Sequence, residues 1–210
     1  MFFDLDALPT GDRYKLLVST IVPRPIAWVV SRDAAGGLNA APYSFFNAVG
    51  DDPPMVMFSA GPRPTGTPKD TLANIQATGE FTICLVDQAN LAAMVLTATD
   101  VPPGVDELAA AGLATLPSVR IGVPRIAASP VALECTLDRT VPVGRHTMVL
   151  GQVRAMHLPD DAITDVARTH IATSRLDLVG RMHGGGWYAL TRELVEEKRV
   201  SAAEWAARRG

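Results

Sequence analysis

The sequence predicts a mainly β fold, an antiparallel barrel with peripheral helices, and three observations carry that prediction. Short runs rich in β-branched and aromatic residues recur between turns that contain glycine or proline. Strands do not alternate regularly with crossover helices, which sets aside a doubly wound parallel sheet. Hydrophobic residues make up 48% of the chain against 20% charged, enough for a sizeable apolar interior. A length of 210 residues suits one domain spanning 1–210, with 192–210 as a C-terminal helical tail.

The elements follow in chain order. Residues 26–31, 38–46 and 55–58 read as adjacent antiparallel strands, and the loop at 33–37 has the length and glycine content of a hairpin turn with a positive-φ position. Thr67, Pro68 and Asp70 supply a cap, a first-position proline and an acid at the third position, so a helix is expected to start there and to close at Gly79. Residues 80–86 form the next strand. Alanine- and leucine-rich stretches at 89–98 and 105–111 are expected helices, separated by Pro102, Pro103 and Gly104. In the strand at 131–137, Val131, Leu133, Cys135 and Leu137 are expected to face inward, and Glu134, Thr136 and Asp138 outward. A long strand at 146–157 contains Gly151, which marks a bulge or a close approach. Ser201 and Glu204 form a capping box that opens a short terminal helix.

Several function classes are excluded. A formal charge of −3 provides no basic field for a phosphate backbone, so nucleic acid is not an expected partner. The acidic start of the chain lacks the pattern of an export signal, no apolar stretch approaches the roughly 20 residues that span a bilayer, and two cysteines without ligand spacing suit the cytoplasm. The segment from Gly61 to Gly66 has phosphate-loop spacing, but Thr67 stands where the lysine is required. The glycines at 184–186 are not a dinucleotide fingerprint, no Gly-x-Ser-x-Gly elbow occurs, and His146, His157, His170 and His183 share no metal-ligand spacing. No metal is expected.

The chemistry is carried by an ordered set of segments. It runs from Pro23-Arg24-Pro25-Ile26-Ala27-Trp28 through Asn39-Ala40-Ala41-Pro42-Tyr43-Ser44-Phe45-Phe46-Asn47 and Asp52-Pro53-Pro54 to Lys69-Asp70-Thr71, Asn74 and Gly79-Glu80-Phe81. Small residues and a proline in the second strand leave backbone groups open to a planar ring. Arg24 and Lys69 offer positive charge to a phosphate, and the amides of a helix start add donors.

This set resembles the flavin reductase-like family of FMN-binding split β-barrels, antiparallel and Greek-key, with the flavoredoxin-like members included. The likeness is close over residues 14–86 and returns at Gly144-Arg145-His146, Gly151-Gln152-Val153 and Tyr188. It implies FMN contacts, with FAD as the alternative cofactor, at Arg24, Ser31, Asn39, Ala40, Ala41, Ser44, Phe45, Lys69 and Thr71. His146 is implied as the residue nearest the nicotinamide chemistry. Asp70 is assigned to the helix cap, and Cys84 stands where the family carries Asn.

The implied activity is hydride transfer from NAD(P)H, a co-substrate, to flavin, with electrons passed to a monooxygenase partner or a small-molecule substrate. The flavin does the bond chemistry, so no acid–base dyad is required. A homodimer with the site near the subunit boundary is implied as well. Two alternatives share the barrel: a flavoredoxin-type electron carrier that does not oxidise NAD(P)H directly, and a non-catalytic flavin-binding module.

Overall fold

The computed structural model describes residues 1–63, 65–99, 101–102 and 105–208. Pro103 and Gly104 of the expected helix breaker lie outside them. A helix that the sequence reading missed, α1 (Thr10–Thr20), precedes the sheet. It has one buried residue, Val18, so its apolar periodicity is too weak to announce it.

Strands β1 (Ala27–Arg32) and β2 (Leu38–Tyr43) form the expected hairpin. Asp33 Oδ1 accepts from the amides of Ala35 and Gly37, both at 2.8 Å, and Gly36 takes φ +97°. The strand expected to run on to Phe46 breaks at Ser44 and Phe45. It restarts as β3 (Phe46–Asp51), which pairs with β4 (Pro54–Ala60).

Helix α2 (Asp70–Thr78) begins later than its capping signals suggest. The carbonyl of Thr67 is used in a turn, accepting from Arg63 N at 2.9 Å, and its hydroxyl meets that of Thr65, also at 2.9 Å. Lys69 is therefore the N-cap residue, and Asp70 pairs with Arg63 at 2.7 Å instead of capping. The C-terminus is as expected, with Gly79 left-handed at φ +74°.

Next come β5 (Glu80–Cys84), α3 (Leu91–Leu96) and α4 (Glu107–Ala110), the last capped by the Asp106 carboxylate. A short ribbon of β6 (Thr115–Leu116) and β7 (Arg125–Ile126) leads to the twelve-residue strands β8 (Ala132–Val143) and β9 (His146–His157). Two more small ribbons, β10 (Ile163–Asp165) with β11 (His170–Ile171) and β12 (Val179–Arg181) with β13 (Tyr188–Leu190), precede the exposed helix α5 (Ala202–Ala207) and its capping box. No helix among the described residues is long and apolar enough to cross a membrane.

The main sheet has the order β2-β1-β5-β8-β9-β4-β3. Its two edge strands are consecutive in sequence, and three Cα steps from Tyr43 to Phe46 span at most about 11 Å. The sheet must curl until its edges almost meet, which makes a barrel with one open seam. Register shifts in β8 at Glu134/Cys135 and Leu137/Arg139 supply local bends.

Strand β1 is buried on both faces, which explains its unbroken apolar run. Ala27 and Val29 point into the barrel with Phe58, Phe81 and Ile83. Trp28 and Val30 face the other way, against Met94 and Leu108 of α3 and α4. Trp28 Nε1 donates to Thr97 Oγ1 at 2.9 Å, so the indole is satisfied in the core. Gly151 makes the expected close approach: a Cβ there would lie 2.4 Å from Phe81 Cζ.

Glu134 departs from the expected pattern. It leaves the barrel's inner face as predicted but is 0% exposed, because residues 118–123 fold over it. Its carboxylate accepts from Val119 N at 2.8 Å, Arg120 N at 2.6 Å and His157 Nε2 at 2.6 Å. Burial works to raise its pKa, but these donors outweigh it and hold the carboxyl below its usual range.

Gly151→Ala is expected to destabilise the fold by about 1–3 kcal/mol in equilibrium denaturant unfolding, since the Phe81 ring must move. Because the folded pKa of Glu134 is depressed, its contribution is present above the ordinary value of 4.5 and is lost as the pH falls through the folded value. Thermal unfolding should therefore show a steep acid limb that Glu134→Gln flattens.

Candidate functional site

The site is built on the open edge of β2. An edge strand leaves one row of backbone groups without strand partners. Ala40 N donates to Glu107 Oε2 at 3.1 Å, which identifies that residue's backbone as outward-facing. By two-residue alternation Pro42 faces the same way, and a proline there loses no ladder bond because it has no N–H. The edge thus presents the carbonyls of Ala40 and Pro42. The expectation of open donors along 39–42 is corrected: the Ala40 amide is already taken by Glu107, and Pro42 has none to give.

Below the edge lies a buried polar network. Asn39 Oδ1 accepts from Thr71 Oγ1 at 2.6 Å and from Ser31 Oγ at 3.4 Å, and Asn39 Nδ2 donates to Glu107 Oε1 at 2.8 Å. Asn74 Nδ2 donates to Ser31 Oγ at 3.2 Å. Four elements, β1, β2, α2 and α4, are joined by these bonds. Burial raises the Glu107 pKa, opposed by its bonds to Ala40 and Asn39. Ser31, Ala40 and Thr71 are almost wholly enclosed, so they form the floor of the site.

At one end of the groove stands the start of α2. Lys69 has no side-chain cap bond over it and no ion-pair partner among the described residues. The first helical amides, at Asp70 and Thr71, have no acceptor there either. Lys69, Thr71, Asn39 and Ala41 line a depression together with Arg63, which sequence reasoning did not single out. Negative charge is stabilised at such a terminus by the amides, the helix dipole and the ammonium together.

At the other end lie Ser44, Phe45 and Arg24, beside a cavity of about 460 Å³ whose wall is completed by Leu17 of α1 and by Ile21, which follows that helix. Arg24 is spent largely on structure. Its Nη1 donates to Val18 O at 2.7 Å and Ile21 O at 2.9 Å, Nη2 to Met182 O at 3.0 Å, and Nε contacts Ser44 Oγ at 3.4 Å. It caps α1 and ties it to the end of β2. Arg24 and Lys69 line different depressions, and most of the Arg24 donors are already engaged, which argues against both cations serving one phosphate.

His146 packs on the Phe45 ring, with centroids 6.0 Å apart and planes 25° from parallel. Its other side meets Gly61, where a Cβ would lie 3.1 Å from Cε1. Burial, then the neighbouring Arg145 charge, lowers its pKa, so the imidazole is neutral at pH 7. It reaches the groove through Phe45. Cys84, in place of the family's Asn, is wholly buried with its thiol pushed up to about 11 by burial.

Between the two ends a smaller pocket of about 170 Å³ is lined by Pro42, Ser44, Arg181 and Tyr188. Shared Pro42 joins it to the Lys69 end, and shared Ser44 joins it to the Phe45 cavity. The predicted residues thus lie along one groove, as its floor, its two ends or, for His146, the support of Phe45. Glu107 and Arg181 were missed because nothing local marks them: each acts across a sequence distance of more than sixty residues.

The family model for the flavin reductase like domain matches residues 18–173. A protein of Deinococcus radiodurans, described only as uncharacterized, is 49% identical over 97% of this chain and 91% of its own. The crystal structure of nitrilotriacetate monooxygenase component B from Bacillus cereus superposes with a TM-score of 0.88 at 32% identity, covering 94% of this chain and 98% of that one. The 2-nitrobenzoate 2-nitroreductase NbaA of Pseudomonas fluorescens gives a TM-score of 0.87, also at 32% identity, over 96% and 98% of the two chains.

Glu107→Gln leaves one of the two donors, Asn39 Nδ2 or Ala40 N, facing an amide nitrogen. A loss of about 1–3 kcal/mol in denaturant unfolding is expected. Hydrogen exchange at the Ala40 amide should accelerate, which a general loss of packing elsewhere would not single out.

Proposed function

Because the chain belongs to the flavin reductase-like domain family, we propose that it binds FMN along β2, takes hydride from NAD(P)H and passes electrons to a monooxygenase or a small acceptor. The observation that carries the reading is the combination of Lys69 and helix amides that have no partner among the described residues, at one end of an edge strand whose outward groups are carbonyls. A phosphorylated, flat, amide-like ring needs those features in that order.

The residues fit the group by their donor chemistry. Lys69, Arg63 and the amides of Asp70 and Thr71 would hold the phosphate. The carbonyls of Ala40 and Pro42 would accept from the ring's N–H side, Ala41 would lie against it, and Ser44 and Phe45 would flank its far end. Ser31, Asn39 and Thr71 act from beneath by fixing the edge. Arg24 places Ser44, and His146 supports Phe45.

Flavin, when bound, supplies the hydride-accepting and electron-passing chemistry. The chain's own part is to orient and to exclude water. The buried network under β2 holds the edge rigid, and the apolar cavity beyond Phe45 offers a second flat ring a dry surface. A neutral His146 adds no repulsion toward a cationic nicotinamide.

The monooxygenase and small-acceptor readings are supported by the likeness to two solved proteins, a monooxygenase component and a nitroreductase. We place the protein in the cytoplasm as a homodimer, with exposed apolar residues such as Leu17, Ile21 and Val143 around the Phe45 cavity as the face available to a partner copy.

Purified protein is expected to bind FMN, seen by absorption and by flavin fluorescence, and to bleach anaerobically with NADH or NADPH. Failure to bind FMN would overturn the reading, and bleaching only through a protein partner would favour the carrier alternative. Lys69→Ala should weaken FMN binding about 10–100-fold, the worth of a charge-assisted bond. A monomeric variant should lose flavin, which gel filtration with absorbance detection would show.

A further inference from the structure

The ribbon of β12 and β13 is anchored firmly at its base. Arg24 and Arg181 exchange backbone bonds of 2.9 and 2.8 Å, and a Cβ on Gly180 would lie 2.7 Å from Pro23 Cβ. Its far end is open, since Gly185 and Gly186 meet nothing within 4 Å. There His183 stacks on Trp187, which is 66% exposed.

Arg181 sits where the anchored part meets the pocket. Its guanidinium lies 4.8 Å from the Tyr188 ring centroid, and Nη2 donates to Gly184 O at 2.8 Å. Nη1 is buried and has no hydrogen-bond partner among the described residues. Neither Arg181 nor the adjacent Arg24 forms an ion pair among the described residues. The Arg181 guanidinium, with its unmet donor, lines a pocket bounded by Pro42 and Ser44, while Arg24 beside it has its donors engaged by carbonyls. An orphaned buried donor is destabilising, more so when charged, so this arrangement favours a ligand that brings electron density.

We propose that Arg181 is a positioning and tuning residue for the bound ring, favouring its electron-rich state over its oxidised state, so that the C-terminal ribbon helps set the reduction potential of the site. The inference rests on the flavin reading above and adds a residue outside the segment from which that reading came. A planar fork stacked on Tyr188 is suited to a flat, delocalised ligand edge as a lysine is not. Tyr188 holds the guanidinium by a cation–π contact, and Gly184 fixes its second nitrogen.

The test uses the full chain loaded with FMN. Oxidised-FMN affinity is measured by fluorescence and the midpoint potential by anaerobic dye-coupled titration for the wild type, Arg181→Gln and Arg181→Lys. Arg181→Gln is expected to weaken the two-electron-reduced form about tenfold more than the oxidised form, read as a midpoint about 30 mV more negative. Arg181→Lys should recover part of that difference. Equal loss from both forms, or no change, would overturn the proposal. Should Arg181→Gln fail to fold, Tyr188→Leu, which releases the guanidinium from its ring, carries the test: a shift in the same direction supports the proposal and none overturns it. A wild type that binds no FMN would be seen before any variant and would overturn the flavin reading itself.

Discussion

The structure depends on a covalent constraint: two residues, Ser44 and Phe45, join the strands at opposite edges of the seven-stranded sheet. A flat sheet would hold those edges the width of seven strands apart, roughly 28 Å at about 4.7 Å per strand. The short link makes curling obligatory. It does not close the ladder, because β2 keeps an edge on which Glu107 and the groove-lining side chains converge. The same link therefore makes the barrel and leaves its seam available for binding.

An unpaired edge is a liability unless it is held. Here Pro42 removes a donor, and the Glu107 carboxylate occupies the Ala40 amide. Asn39, Thr71, Ser31 and Asn74 extend the anchorage to α2 and β1, with each side chain bonded to another. A fully connected polar network of this kind fixes one arrangement where apolar packing would tolerate several. Three of its members, Ser31, Asn39 and Thr71, are residues that the family likeness marks as cofactor contacts. Their burial points to an indirect part for several of them: they shape the edge that would meet the ligand.

The groove also explains a division of labour among the cations. Lys69 and Arg63 stand by the helix start, where amides point outward. Arg24 spends most of its donors on carbonyls of α1 and Met182, which binds the first helix to the seam. Arg181, in the middle pocket, retains a buried donor that has no partner among the described residues. Position along one strand, rather than charge, separates a ligand contact from a structural staple.

The sequence by itself determined the fold class, most of the strands and the family, because those depend on local signals. The hairpin at 33–37, the left-handed Gly79 and the capping box at Ser201 each follow from residue chemistry within a few positions. Only the tertiary structure decided the rest. The burial of Glu134 and the clamp by Glu107 are set by groups far along the chain. A carboxylate on an outward strand position looks solvent-facing until a loop supplies its donors, and an arginine beside a motif looks free until a helix end claims it. Such partnerships arise only when the sheet curls, and a linear pattern carries no record of them.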